Sequence, residues 1–353
     1  MSSDFLLYGA NGYTGELIAR LAVERGLLLR PILAGRDRSK IEPLATELGL
    51  DYLSFALDDA ASIDAALKGV PVVLHCAGPF SHTSRPMADG CLRTGTHYLD
   101  ITGEIAVFES LAARRAEASA AGVMLLPGVG FDVVPSDCLA AHLKRRLPAA
   151  DRLTLAIRGL GRISHGTATT MVENINRGGL VRLDGRLTPV PAAWKTREID
   201  FGSGPVKATT IPWGDIATAF YSTAIPNIEV YAALPSSTRM MMKASRPLGS
   251  LLAAAPVQRF LKNRIKAQPP GPSPAERARG KSFVWGEVAD DSGHVKRSRL
   301  SGPEGYTLTA MTALAVVERV MAGEAPKGFQ TPSLAYGADF ILEIEGVERE
   351  DLE

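Results

Sequence analysis

Seven residues, Gly9-Ala10-Asn11-Gly12-Tyr13-Thr14-Gly15, have the types and the spacing to hold a pyrophosphate. Glycines let the backbone turn sharply and approach a ligand closely, and a helix starting there offers N–H groups and a positive dipole end. The run Phe5-Leu6-Leu7-Tyr8 before them reads as a strand, and Leu17-Ile18 through Leu21-Ala22 after them as a helix. Gly9, Asn11, Gly12, Tyr13, Thr14 and Gly15 therefore occupy a first strand-to-helix junction, where a dinucleotide fold places its phosphate cradle. The spacing GxxGxxG is one residue longer than the commonest dinucleotide fingerprint, so its weight comes from this context.

The next basic cluster addresses which dinucleotide is held. A second apolar run, Ile32-Leu33-Ala34, ends in Gly35-Arg36-Asp37-Arg38-Ser39-Lys40. A guanidinium at Arg36 can stack on adenine and pair with a 2′-phosphate, and Ser39 and Lys40 add donors, which favours NADP(H). Asp37 is equally able to accept from the ribose of NAD(H), so that cofactor stays open. Asp58, past the third strand, joins Gly35 among the residues expected to face the cofactor.

These residues need a sheet to position them. Strands are expected at Phe5–Tyr8, Ile32–Ala34, Tyr52–Ala56, Val72–Cys76, Tyr98–Leu99 and Val123–Leu126, with helices at Thr14–Arg25, Lys40–Leu48, Ser62–Lys68, Pro86–Arg93 and Val107–Ala121. Alternating βα units with apolar strands imply a Rossmann-type, doubly wound parallel sheet with its ligand across the strands' carboxyl ends. After Ala149 the chain turns rich in Thr, Ile and Val. Leu153–Arg158, Gly166–Met171, Val206–Ile211, Ile228–Leu234 and Ser282–Ala289 read as strands of an α+β domain with a mixed, mainly antiparallel sheet. The stretch Gln268–Pro274 reads as a loop, and Thr307–Met321 as an apolar helix that returns to the first domain. The expected division is 1–149 completed by 303–353, and 150–302 for substrate binding or dimerisation.

Further chemistry clusters where the later strands end. His75-Cys76-Ala77-Gly78-Pro79-Phe80 lets the backbone at Ala77, Gly78 and Pro79 pass close to a flat nicotinamide. Tyr98-Leu99-Asp100-Ile101-Thr102-Gly103-Glu104 gathers polar groups at a central strand end, where Asp100 and Gly103 are expected near the cofactor; Thr102 or Asp100 is equally able to cap the next helix. Gly130, Phe131 and Asp132 follow the sixth strand, and Ser136 is expected to cap the helix after it.

Taken together and in order, Gly9-x-x-Gly12-Tyr13-Thr14-Gly15, Ala34-Gly35-Arg36, Ala77-Gly78-Pro79-Phe80, Tyr98-x-Asp100-x-Thr102-Gly103-Glu104 and Gly130-Phe131-Asp132-x-x-Pro135-Ser136-Asp137 resemble the saccharopine dehydrogenase-like oxidoreductases. Within them the chain resembles in particular the branch that includes bacterial trans-acting enoyl reductases. The resemblance covers residues 5 to 140 and continues more loosely through Trp213-Gly214-Asp215 to Gly328-Phe329-x-Thr331-Pro332. It implies an NADP-binding Rossmann domain, a substrate domain with a mixed sheet, and reduction of a carbon–carbon double bond in a lipid or polyketide chain. The chain departs from its relatives at His82-Thr83-Ser84, where many carry a glycine, and at Val133, where many carry serine.

Such a reduction needs a positioned nicotinamide, a polarised acceptor and a proton source, but no nucleophile. Tyr98, Tyr306 and His82 are the candidate catalytic donors; Cys76, on an apolar strand, reads as core. An imine or amino-acid-derived acceptor is the rival substrate, with Arg158, Arg162 and Arg177 as readers of its carboxylates. Composition is that of a folded protein in the cytoplasm: 46% hydrophobic and 22% charged residues, a net charge of +1, and three cysteines without CxxC spacing. No metal site, signal peptide or membrane span is expected, and no nucleic-acid partner. The exception to this blandness is Arg239–Lys281, with ten Lys or Arg against one acid, Glu276, around Leu248–Ala255 and Met240–Met242. That segment suits an acyl chain, an acidic carrier domain presenting a carrier-bound substrate, or an anionic membrane surface, the last leaving room for a low-turnover, NADP-bound scaffold. A homodimer is compatible with the two-domain plan.

Overall fold

The computed structural model describes residues 4–26, 30–159, 161–174, 178–248, 252 and 254–352. In chain order the elements begin β1 (Asp4–Tyr8), α1 (Tyr13–Glu24), β2 (Arg30–Gly35), α2 (Arg38–Leu48), β3 (Tyr52–Ser54), α3 (Ala60–Leu67), β4 (Val72–His75), α4 (Phe80–Thr94), β5 (His97–Asp100), α5 (Ile105–Ala112), α6 (Arg115–Ala120) and β6 (Met124–Leu126). They continue with α7 (Val134–Arg146), β7 (Arg152–Arg158), α8 (His165–Glu173), β8 (Gly179–Leu183), β9 (Arg186–Val190), β10 (Thr196–Asp200), β11 (Pro205–Thr210), α9 (Asp215–Thr223), β12 (Asn227–Ala232), α10 (Ser236–Ala244), α11 (Ala255–Lys266) and α12 (Pro274–Arg279). The chain closes with β13 (Lys281–Ala289), β14 (Val295–Pro303), α13 (Gly305–Met321), β15 (Gly328–Phe329), α14 (Pro332–Tyr336) and β16 (Glu348–Leu352).

Two compact units result. Met1–Val134 with Tyr306–Ala335 form the first, and Pro135–Gly305 with Tyr336–Glu353 the second. The first holds a parallel sheet in the order β15-β6-β5-β4-β1-β2-β3. Its central strands carry apolar residues on both faces, with Phe5, Leu6, Leu7, Val72, Val73 and Leu74 wholly buried, as helices covering both faces require. The chain winds outward in both directions from β1 and β4. Their carboxyl ends are thus the switch point at which such sheets bind ligands. In the second unit the order is β10-β11-β12-β7-β13-β14-β16, with β8 on β12 and β9 on β8. Among the described residues of this sheet only the β12–β7 pair is parallel, and Ala156, Ile199, Phe201, Ala208, Tyr231 and Trp285 form a core on it.

Several elements depart from the sequence expectation, each for a local reason. Gly166–Met171 is helix rather than strand: Ser164 caps α8 by accepting from the Thr167 amide, and Thr169 donates back to the His165 carbonyl. The single helix expected over Val107–Ala121 is two, broken where Arg114 leaves helical geometry and pairs with Asp89 and Glu117. Helix α4 starts at Phe80, well before Pro86, because the Glu104 carboxylate accepts from the Phe80 and Ser81 amides at 2.7 and 3.1 Å. Ser136 lies inside α7, donating to Asp215 rather than capping. The first unit ends at Val134 instead of 149 since α7 packs on the second sheet, where a Cβ at Gly286 would meet Leu143 at 2.5 Å. Residues 336–353 also leave the first unit, because β16 pairs with β14.

Asp100 ties the ends of β5 and β6 together. One carboxylate oxygen accepts from the amides of Thr102 and Gly128, each at 2.9 Å, and the other from the Tyr98 hydroxyl at 2.6 Å. Burial raises its pKa to about 6 in spite of these donors. Its charge is therefore tolerated only while all three donors stay in place. Asp100→Ala strands the Tyr98 hydroxyl and two amides and is expected to cost about 2–4 kcal/mol in denaturant unfolding. Asp100→Asn retains an acceptor for the amides and a group the hydroxyl can accept from, and should cost less than half as much. Because the folded pKa lies above the unfolded one, the wild-type residue's contribution is greatest below pH 4 and declines as pH rises through about 6. The Asn variant should lack that decline.

Candidate nucleotide-binding site

The glycine turn joins three strand ends. Gly9 takes φ +83°, open to glycine at little cost, and a Cβ there would lie 2.7 Å from the Ala77 amide nitrogen at the end of β4. The Gly9 and Ala10 amides both donate to the Ala34 carbonyl on β2, at 2.7 and 3.2 Å, and the Gly12 amide donates to the Gly9 carbonyl at 3.0 Å. A Cβ on Gly15 would fall 2.3 Å from that carbonyl oxygen, so only glycine lets α1 descend onto the turn. Gly12 stands at the helix N-cap with no side chain over it, and Asn11 and Gly12 are exposed. The first helical amides, such as those of Thr14 and Gly15, have no acceptor within their own helix. A cradle of bare backbone at a helix N-terminus fits the pyrophosphate of a dinucleotide.

Around the end of β2 the cations divide. Asp37 caps α2, accepting from the Ser39 amide and hydroxyl at 3.1 and 2.7 Å and pairing with Lys40 at 3.4 Å. Arg38 pairs with Glu42 at 3.0 Å. Among the described residues Arg36 alone of these cations is exposed without an ion pair or hydrogen bond. Asp37 is thereby spoken for as a cap, which weakens its candidacy for a ribose and leaves Arg36 available for a phosphate. The Tyr8 hydroxyl, which donates to the Phe55 carbonyl, has its pKa raised to about 12, chiefly through burial, with the charge of Arg36 opposing and that of the exposed Asp58 adding to the shift. Gly35 is buried, and a Cβ there would lie 3.0 Å from the Ile41 side chain and 3.2 Å from the Asn11 side-chain oxygen.

On the other side of the switch point, the Ala77-Gly78-Pro79 turn is held from two directions. The Thr83 hydroxyl donates to the Ala77 carbonyl at 2.6 Å, and Glu104 receives the first amides of α4. Neither Thr83 nor Glu104 stands out in the sequence as a holder of this turn. Gly130 and Phe131 face inward instead of toward a ligand: a Cβ on Gly130 would strike Thr309 of α13 at 2.8 Å, and the Phe131 amide donates to the Thr309 hydroxyl at 3.0 Å. Asp100 does not meet a cofactor either, being wholly buried with its acceptors used within the fold. Asp132 differs. It is half-buried against Gly103, where a Cβ would lie 2.8 Å from its carboxyl, and no hydrogen bond reaches that carboxyl among the described residues. Burial raises its pKa to about 6.

The expected proton donors are not gathered in one place. Tyr98 is 0% exposed, with its hydroxyl given to Asp100, and so is excluded from meeting a substrate in this structure. His82 is exposed on the first turn of α4. Tyr306 opens α13 and sets its ring edge-on against Tyr13, centroids 5.1 Å apart, at the cradle itself. Cys76 is half-buried rather than part of the core, and desolvation pushes its thiol far up. His75, unremarked in the sequence, sits wholly buried among the rings of Tyr8, Phe80 and Tyr98, and burial lowers its pKa to about 3. It is a neutral imidazole. Of the arginines proposed to read carboxylates, Arg158 bonds Ser203 and lies over Phe283, Arg162 pairs with Glu276, and Arg177 lies outside the described residues.

With this geometry established, comparison with known proteins adds the following. Residues 5–126 match the family described as the saccharopine dehydrogenase NADP binding domain. A trans-acting enoyl reductase of Mycobacterium leprae is 32% identical over 150 residues, which span 41% of this chain but only 36% of that protein. A saccharopine dehydrogenase-like oxidoreductase of Mus musculus is 31% identical over 160 residues, 40% of this chain and 37% of that protein. In fold, the chain is similar over its full length to the apo saccharopine dehydrogenase (L-Glu forming) of Saccharomyces cerevisiae, with a TM-score of 0.68 at 11% identity.

The unpaired guanidinium at the end of β2 makes a direct prediction. In calorimetric titration Arg36→Glu should weaken NADPH binding about tenfold to a hundredfold, the worth of a charge-assisted bond to phosphate, and leave NADH binding nearly unchanged. An equal loss for both nucleotides would remove Arg36 from 2′-phosphate recognition.

Proposed function

We propose that the chain, whose residues 5–126 match the saccharopine dehydrogenase NADP binding domain family, is an NADPH-dependent reductase acting on a conjugated, lipid-like enoyl acceptor. The observation that carries the reading is the pairing of a bare-backbone glycine turn at a helix N-terminus with an unengaged Arg36 at the adjoining strand end. The enoyl acceptor is favoured because relatives named trans-acting enoyl reductase align over this same region. An imine acceptor is less well supported, since Arg158 and Arg162 are engaged inside the second unit. All three thiols are free, which suits a reducing compartment and extends the proposal to a cytoplasmic enzyme.

NADPH, when bound, supplies the hydride. The chain's own residues do the rest. Gly9, Gly12 and Gly15 bring bare backbone to the pyrophosphate, and Arg36 answers the 2′-phosphate. Thr83 and Glu104 hold the Ala77–Pro79 turn at the end of β4, on the side of the switch point assigned to the nicotinamide half. Asp132, on the loop leaving β6, keeps its proton to about pH 6 and is the group we assign to protonate the acceptor's α-carbon after hydride has added at its β-carbon. Tyr306, beside the cradle, is assigned to orientation of the cofactor.

The test is NADPH consumption with trans-2-enoyl thioesters of increasing chain length, set against an oxo acid mixed with an amino acid. Turnover of the thioesters, rising with chain length, supports the proposal; turnover of the imine-forming pair alone overturns it. For the wild type, kcat/KM should fall as pH rises through about 6, because the active form of Asp132 is the protonated one. Asp132→Asn should lose about a hundredfold or more in kcat and that pH limb with it, while NADPH affinity is retained.

A further inference from the structure

Four large apolar side chains stand more than half exposed among the described residues, and all lie on α8, α10 and α11. They are Met171 at 58%, Met240 at 70%, Met241 at 65% and Phe260 at 63%, while no other exposed large apolar side chain exceeds 42%. None of these three helices contains a fully buried residue. Helix α11 rests on α8 through Gln258, which donates to the Val172 carbonyl at 2.9 Å, and Lys262, which pairs with Glu173 at 2.6 Å. With positions 258 and 262 turned toward α8, helical spacing carries Arg259, Phe260, Asn263 and Arg264 outward, and all four are exposed. Helix α10 is fastened at its start by Arg239, which donates to the Leu234 carbonyl, and Arg246 beyond it donates to the carbonyls of Ala192 and Ala193. Its exposed residues include Met240, Met241 and Lys243.

Charge narrows the choice of partner. From Ser236 to Ala267 the chain carries seven Lys or Arg residues and no Asp or Glu. A two-fold contact with a second copy through these helices would set cations against cations, and like charges facing across an interface oppose association. A soluble acidic partner would answer the cations but has no need of bare methionines and a phenylalanine standing out among them. Exposed apolar side chains on helices whose charged residues are all cations match an interface that is anionic at its face and hydrocarbon just below it. Since no described helix is long and apolar enough to cross a membrane, the contact must be peripheral.

We propose that α10 and α11 dock this protein on an anionic lipid bilayer, Met240, Met241 and Phe260 entering the boundary between headgroups and acyl chains while Lys243, Arg259, Arg264 and Lys266 face the lipid phosphates. The inference is independent of the reductase reading, because it requires no bound nucleotide and no turnover.

The experiment is flotation of the whole protein with vesicles of phosphatidylcholine alone or mixed with phosphatidylglycerol, at low and high salt. Flotation is expected with the anionic vesicles only, and to weaken as salt is raised. Arg259→Glu/Arg264→Glu/Lys266→Glu should lower vesicle affinity by at least about a hundredfold, and Met240→Ser/Met241→Ser/Phe260→Ser by about tenfold. Arg85→Glu, a reversal at an 83% exposed arginine on α4, should leave it unchanged. Circular dichroism melting establishes that each variant is folded. Failure to float with anionic vesicles, equal flotation with phosphatidylcholine alone, or flotation of either triple variant at the wild-type level would overturn the proposal. So would an unchanged affinity in the Met/Phe variant combined with full displacement by heparin, which would mark a surface for soluble polyanions.

Discussion

The carboxyl end of the parallel sheet depends on one close approach, that of α1 to the Gly9 carbonyl. With any side chain at Gly15 the helix would have to lift, since a Cβ would sit 2.3 Å from that oxygen. Lifting the helix would carry its first amides away from the turn and unseat the Gly12 amide from the same carbonyl. Gly9 in turn must stay bare on the β4 side, where Ala77 presses against it. Two absent side chains thus set the distance between β1, β2 and β4, and every group that faces a nucleotide inherits its place from that spacing.

Polar groups do the complementary work of holding loops that lack regular structure. Asp100 gathers a hydroxyl and two amides, Glu104 takes the first two amides of α4, and Thr83 and Thr309 hold the turns after β4 and β6. Each is a buried or half-buried acceptor or donor whose partner is backbone that no ladder satisfies, so losing one leaves an expensive orphan. This division separates two carboxylates that look alike in the chain. Asp100 is consumed by the fold, whereas Asp132 keeps a carboxyl that no hydrogen bond reaches among the described residues, with a pKa raised by burial.

The second unit follows a different logic. Its mixed sheet is closed by elements from distant parts of the chain, α7 on one side and β16 at an edge, while α8, α10 and α11 lie outside it with no residue fully buried. Helices of that kind contribute little to a core. Their composition, cationic and methionine-rich, answers to something other than the interior of this protein.

Local patterns determined much of this in advance. Apolar runs and glycine spacing were enough for the order of strands and helices in the first unit, for the cradle at Gly9–Gly15 and for the basic cluster after β2, because those signals act over a few residues. The oddity of Arg239–Lys281 was also legible as composition. Tertiary structure decided what depends on partners remote in sequence: that Asp37 caps α2 and leaves Arg36 unengaged, that Tyr98 is sealed behind Asp100, that Glu104 starts α4 at Phe80, and that α7 belongs to the second sheet. A side chain's type states what bonds it is able to make. Which of them it makes, and so whether it remains free for chemistry, is settled only when the chain brings a competing donor, acceptor or wall of apolar atoms within reach.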